Sequence, residues 1–203
     1  MRQAITHLKK VDPVLAQIIK QVGPFDPSRA YREASFQTLV RSIAFQQLNG
    51  KAATTIFNRL LMAAGGTLTP DSVLSLSKTE MRACGLSKQK LSYIRDLAER
   101  TESGEIDFAA LPQMSDADVI EHLTRVKGIG EWSAQMFLMF ALRRPNVLAC
   151  GDFGVQAAIR KHYKKRKHPK PKDVAKIGRA WAPYSSVACW YLWRSLDETS
   201  NKK

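Results

Sequence analysis

Period-two alternation of apolar and polar residues, the mark of a half-buried strand, is absent from this sequence, and no segment repeats at a fixed interval. A sheet and a solenoid are both excluded on that ground. Long apolar runs are missing too. The most apolar, Ala134 to Leu142, contains Gln135 and falls far short of the roughly 20 residues that cross a bilayer. The N-terminal MRQAITHLKKVDPVL carries charge where a signal peptide needs unbroken apolar chain, so export is not expected. Cysteine is scarce. Cys84, Cys150 and Cys189 are scattered and odd in number, which excludes a disulfide framework and a clustered metal site and suits a reducing compartment. Acidic residues are also few. The 18 Asp+Glu against 32 Lys+Arg leave a formal net charge of +14, so a polyanion is the first partner to consider. An anionic membrane surface comes second, but no basic amphipathic helix with a broad apolar face appears.

What is present is helical periodicity. Apolar residues make up 44% of the 203 and charged residues 25%, enough for one substantial core or two small lobes sharing one. Val14, Ile18, Ile19 and Val22 form a stripe on the second of two short helices divided at Asp12-Pro13. Phe36, Leu39, Val40, Ile43 and Ala44 recur at i, i+3, i+4, i+7 and i+8, which predicts a helix from Ser35 with one buried face. Gln46-Gln47-Leu48-Asn49-Gly50 interrupts it, and the pattern resumes through Ile56 and Leu60 to close at Gly65-Gly66. Pro70 to Leu76 and Lys78 to Arg82 are expected to form a short helical segment ending at Cys84-Gly85, followed by a helix capped by Ser87 with Leu91, Ile94 and Leu97 inward. The basic run 161–172, KHYKKRKHPKPK, ends as a loop at Pro169 and Pro171. A last helical stretch, 177–196, gathers Trp181, Tyr184, Trp190, Tyr191 and Trp193. The fold class expected is all-α.

Residues 115–142 hold the most informative pattern. Ser115 with Asp118 three residues on reads as a variant capping box that starts a helix. Gly128-Ile129-Gly130 then lacks β-carbons at two positions, so the backbone is free to adopt φ > 0 and approach a ligand. A second helix begins near Glu131, where unpaired N–H groups and the helix dipole attract an anion such as phosphate. Lys127 adds positive charge. Downstream, Asp152 precedes Phe153-Gly154-Val155 and is a good helix N-cap, a role that coexists with catalysis.

The string VKGIGEWSAQ at 126–135, followed by ACGDFGV at 149–155, resembles the helix-hairpin-helix motif and downstream aspartate of the HhH-GPD DNA glycosylases. FQTLVRSIAFQQLNGKAATTIFNRL at 36–60 is similar to the alkylpurine (3-methyladenine) branch of that superfamily. The resemblance spans about residue 36 to Trp193. It implies two helical lobes, 1–35 plus 145–203 and 36–144, with a cleft between them that the hairpin and Asp152 face. It assigns Asp152 as the catalytic residue, and Trp132, Met136, Phe153 and Trp193 to the base pocket. Contacts to DNA fall to Lys127, Gly128, Ile129 and Gly130, and to Gln46, Gln47 and Leu48, with Gln47 or Leu48 filling the gap left by a flipped base. Trp132 stands where bifunctional relatives carry a Schiff-base lysine, so a covalent amine intermediate is not expected. The four clustered cysteines that hold an iron–sulfur cluster in some relatives are missing. No organic cofactor is implied, only a monovalent cation on hairpin carbonyls.

The function expected is therefore a monomeric, monofunctional glycosylase that hydrolyses the N-glycosidic bond of alkylated purines in double-stranded DNA, in the nucleoid of a bacterium or the nucleus of a eukaryote. The competing expectation is a non-catalytic module that senses bent or damaged DNA. Asp152 separates the two. In the enzyme, a carboxylate near C1′ stabilises positive charge on the sugar and activates water. Indole faces would favour a cationic purine.

Overall fold

The structure, a computed structural model, describes residues 1–200, and among them there are helices and turns but no strand. The all-α expectation holds. Chain contacts divide the molecule into two units, Met1–Tyr31 with Arg143–Lys203, and Arg32–Leu142.

The first unit begins with α1 (Arg2–Val11) and α2 (Pro13–Val22). Pro13 tolerates the first helical position because its missing N–H would be unpaired there anyway. Asp12 caps the same helix, its Oδ1 accepting from the N–H groups of Val14 at 3.0 Å and Leu15 at 2.9 Å. Leu8, Leu15 and Ile18 are fully buried along the facing stripes. A single turn, α3 (Pro27–Ala30), capped by Asp26, ends this part of the chain.

The second unit runs through α4 (Phe36–Phe45), α5 (Gly50–Ala63), α6 (Pro70–Ser75), α7 (Lys78–Ala83), α8 (Lys88–Glu102), α9 (Asp116–Thr124) and α10 (Glu131–Phe140). All five residues of the α4 stripe are buried, and α4 packs on α5 and α8. Each large side chain so buried contributes about 1.5–3 kcal/mol of transfer free energy. The two stretches expected over 70–76 and 78–82 are separate helices, because Leu76 turns extended and a Ser77–Glu80 capping box starts the chain again. At α9, Ser115 does cap, but the Asp118 carboxylate accepts from the Ser115 hydroxyl at 2.7 Å, so the reciprocal box is not formed. The Arg32 N–H donates to Phe140 O at 2.8 Å, which ties residues just after Tyr31 to this unit.

The chain then returns to the first unit as α11 (Phe153–His162), α12 (Pro171–Gly178) and α13 (Ser185–Ser200). The continuous stretch expected over 177–196 is broken. Pro171 starts α12 at its first position, a 3-10 turn covers Arg179–Trp181, and Pro183, with no N–H to donate, separates that turn from α13. Helix α13 packs on α2 and α11. Asp12 joins the two ends of this unit, its Oδ2 accepting from the Tyr163 hydroxyl and, at 2.8 Å, from Trp181 Nε1. Burial and that carboxylate push the Tyr163 hydroxyl far above its ordinary pKa, so it stays a donor.

Candidate functional site

In the second unit the glycine hairpin is held from α8. Asp96, 6% exposed, accepts from the Lys127 N–H at 2.9 Å and from Arg100 Nε at 3.0 Å, and pairs with Lys127 Nζ at 3.0 Å. Burial opposes ionisation of Asp96, but the Lys127 backbone and side chain and the Arg100 guanidinium outweigh it, and its pKa lies below the ordinary value. The Lys127 charge is therefore met within the protein. Only Gly128 takes positive φ, +79°, whereas Gly130 is extended at −98°. The close approach at Gly128 is to Tyr93: a β-carbon there would lie 2.0 Å from Tyr93 Cδ2, so no larger residue fits without moving the ring. Ile129 is buried and anchors the turn from inside.

The interruption after α4 braces the same hairpin. Gln46 Nε2 donates to Gly128 O at 2.8 Å, while Lys90 Nζ donates to Ala44 O at 2.8 Å and Gln46 O at 2.7 Å, placing a cation on the C-terminal carbonyls of α4. Gln47 and Leu48 are exposed, and Gln47 holds φ of +56°, a left-handed conformation rare outside glycine. Sequence reasoning missed Lys90, Tyr93 and Asp96. They recur at intervals of three along one face of α8, and that polar stripe was the signal available.

Gly130 is the N-cap of α10, and no side chain caps that helix among the described residues, in contrast to α2, α4, α9 and α11. Its positive dipole end is the arrangement that suits a phosphate, with Glu131 in the first turn partly offsetting it. Behind it lies a cavity of about 700 Å³, a size that holds a nucleobase. Trp132, half-exposed at 49%, and Met136 line it together with Phe45, Gln46 and Gln47. Arg32, Arg41 and Lys90 line it as well, and no carboxylate does among the described residues.

In the first unit Asp152 is 7% exposed and caps α11, its Oδ1 accepting from the Val155 N–H at 2.6 Å. Trp193 Nε1 donates to that same oxygen at 2.7 Å. Gly154 is required by this pair: a β-carbon there would sit 2.7 Å from Trp193 Cδ1 and 3.1 Å from Asp152 Oδ1. Phe153 is 74% exposed, and its ring stacks on His168 at 4.9 Å between centroids. The basic run gathers here, with Arg160, Lys161 and Lys165 around the Phe153 ring. Of the four residues expected to form a base pocket, then, Trp132 and Met136 share the cavity of the second unit, Trp193 orients Asp152, and Phe153 lies on a basic surface groove. Cys189 is fully buried and its thiol is pushed up to about 12 by desolvation, which makes it inert. No cluster of His, Cys, Asp and Glu fit for a metal occurs among the described residues.

The profile of the HhH-GPD superfamily base excision DNA repair proteins matches residues 40–183. The chain is 34% identical over 199 residues to DNA-3-methyladenine glycosylase 1 of Schizosaccharomyces pombe, covering 96% of this chain and 87% of that protein. A solved structure of the S. pombe 3-methyladenine DNA glycosylase with abasic DNA superposes with a TM-score of 0.85 at 34% identity, over 95% of both chains. A DNA-3-methyladenine glycosidase structure from Bacillus halodurans gives 0.82 at 39% identity, over 97% of this chain and 90% of that one. Fold, hairpin and relatives agree, and the chain belongs to the HhH-GPD superfamily of base excision DNA repair proteins.

Proposed function

We propose that this protein is a DNA glycosylase that hydrolyses the N-glycosidic bond of alkylated purines in double-stranded DNA. The observation that carries the reading is Asp152, a carboxylate held in one orientation by a backbone N–H and an indole N–H, in a chain similar to 3-methyladenine glycosylases. An alkylated purine is already cationic, so the bond from C1′ to the base breaks with its electron pair moving onto the base. Positive charge then develops on the sugar, where a fixed carboxylate stabilises it without reorganisation. Water adds at C1′ and passes its proton to the carboxylate, leaving an abasic site and a neutral free base. Reaching that bond in a duplex requires the nucleotide to be flipped out, with Gln47 or Leu48 filling the gap.

The hairpin and the uncapped end of α10 would hold the phosphate backbone, and the net charge of +14 would draw the polyanion in. Trp132 offers no amine, which supports hydrolysis without strand cleavage. The reading needs no organic cofactor. A monovalent cation would be held by backbone carbonyls of the Val126–Gly130 turn, neutral oxygen donors that suit a hard, weakly bound ion and would link the turn to a phosphate. No helix among the described residues is long and apolar enough to cross a membrane. A DNA substrate places its work in the nucleoid of a bacterium or the nucleus of a eukaryote, and the protein is proposed to act as a monomer.

Mass spectrometry of bases released from methylated duplex DNA tests the reading, with 3-methyladenine and 7-methylguanine the expected products. Release of neither would leave the non-catalytic damage-sensing module in its place. Borohydride added during turnover is expected to trap no protein–DNA adduct, and an efficient trap would show a lyase.

A further inference from the structure

The cavity beside the hairpin contains a charge with nothing to answer it. Three cations line it, and no carboxylate does among the described residues. Lys90 is engaged by two carbonyls. Arg41 differs: among the described residues it makes no hydrogen bond or ion pair, and its guanidinium carbon lies 3.8 Å above the centre of the Phe45 ring. Burial lowers its pKa, and the nearby Arg32 charge lowers it further. Arginine stays ionised regardless, so the half-buried group holds its charge at some cost. Stacking covers the faces of a guanidinium and leaves its N–H edge to be satisfied by an acceptor.

The walls limit what that acceptor belongs to. Phe45, Trp132 and Met136 offer flat apolar and polarisable surface, which fits a planar heterocycle better than a phosphate. Three positive charges oppose a cationic ring unless it also presents an oxygen. A guanidinium pairs most readily with the O6 edge of guanine, whereas the 6-amino group of adenine would set donor against donor. Resting on the glycosylase reading above, we infer that Arg41 reads the 6-carbonyl of the flipped base and biases the enzyme toward guanine-derived over adenine-derived lesions.

The test counts 7-methylguanine and 3-methyladenine released in single turnovers from one methylated duplex by wild type, Arg41→Met and Arg41→Lys. Arg41→Met keeps the apolar stem and removes the donors. It is expected to lower 7-methylguanine release about 10- to 100-fold, the usual effect of one charge-assisted hydrogen bond. Release of 3-methyladenine, which presents no oxygen to Arg41, should not fall, which also reports that the variant is folded. Arg41→Lys should recover part of the 7-methylguanine rate. An unchanged ratio of the two products in Arg41→Met overturns the inference. So does an equal loss of both with weakened binding to undamaged duplex, which would make Arg41 a phosphate contact. Release of neither base by wild type would overturn the glycosylase reading, and this inference with it.

Discussion

Asp12 and Asp152 are built by the same local rules and end in different situations. Each is 7% exposed, each caps a helix, and each accepts from an indole N–H. At Asp12 four donors spread over both oxygens: Val14 and Leu15 N–H on Oδ1, the Tyr163 hydroxyl and Trp181 Nε1 on Oδ2. At Asp152 the Val155 N–H and Trp193 Nε1 converge on Oδ1. Capping therefore does not mark a carboxylate as structural, nor does burial mark it as catalytic. The informative difference is which parts of the chain its hydrogen bonds connect. Donors from both ends of the unit make Asp12 a joint between distant parts of the chain, whereas the Val155 and Trp193 N–H groups fix the direction in which the Asp152 carboxylate faces.

Exchanging the charge at each position gives the largest effects, in opposite observables. Asp152→Asn should lower single-turnover excision at least about 100-fold, since the transition state loses roughly 3 kcal/mol of stabilisation. Its melting temperature should barely move, because Asn ranks beside Asp as a cap. A comparable fall in melting temperature would erase the contrast. Asp12→Asn should do the reverse. Its amide would confront the Trp181 N–H, donor against donor, and chemical denaturation should show a loss of about 2–3 kcal/mol while excision per folded molecule stays constant. The indoles sharpen the comparison at smaller scale. Trp193→Phe removes the N–H that aims Asp152 together with part of the ring volume at a half-buried position, and about a tenfold slower excision with a small loss of stability is expected. Trp181→Phe should cost stability and leave the rate alone.

Asp96 supplies the smallest effect and a pH signature. Its folded pKa lies below the ordinary 3.8, so its contribution is fully present above that value and is lost as pH falls through the folded pKa. Asp96→Asn should lower stability at neutral pH by about 1 kcal/mol and flatten the acid limb of the stability curve. An acid limb identical to wild type would show that Lys127 and Arg100 do not hold it ionised.

Much of this was legible because it depends on spacing and caps. The α4 stripe, the Asp12-Pro13 boundary, the Ser87 cap and the hairpin followed from periodicity and from residues that act on neighbours three or four positions away. What the sequence hid depends on contacts across long separations. The Asp96 brace reaches 31 residues to Lys127, Gln46 reaches 82 to Gly128, and Trp193 reaches 41 back to Asp152. The glycines show the same division. Gly128 was readable as a turn, but that it must admit the Tyr93 ring, and that Gly154 must admit Trp193, follows only from packing. The break at Pro183 was missed because the aromatic residues around it suggested one continuous helix.

The division of the chain also sets an order of events during synthesis. Residues 32–142 form one unit from a continuous segment, whereas the other unit needs both flanks of that segment. Domains fold as units as they emerge, at about 5–20 residues per second. Asp12 leaves the ribosome with its cap partners adjacent, but Trp181 lies 169 residues later, a delay on the order of 10–30 s. The hairpin unit is complete well before then. A nascent chain thus presents a folded hairpin and an Asp12 side chain still exposed to water, and the unit that carries Asp152 closes last.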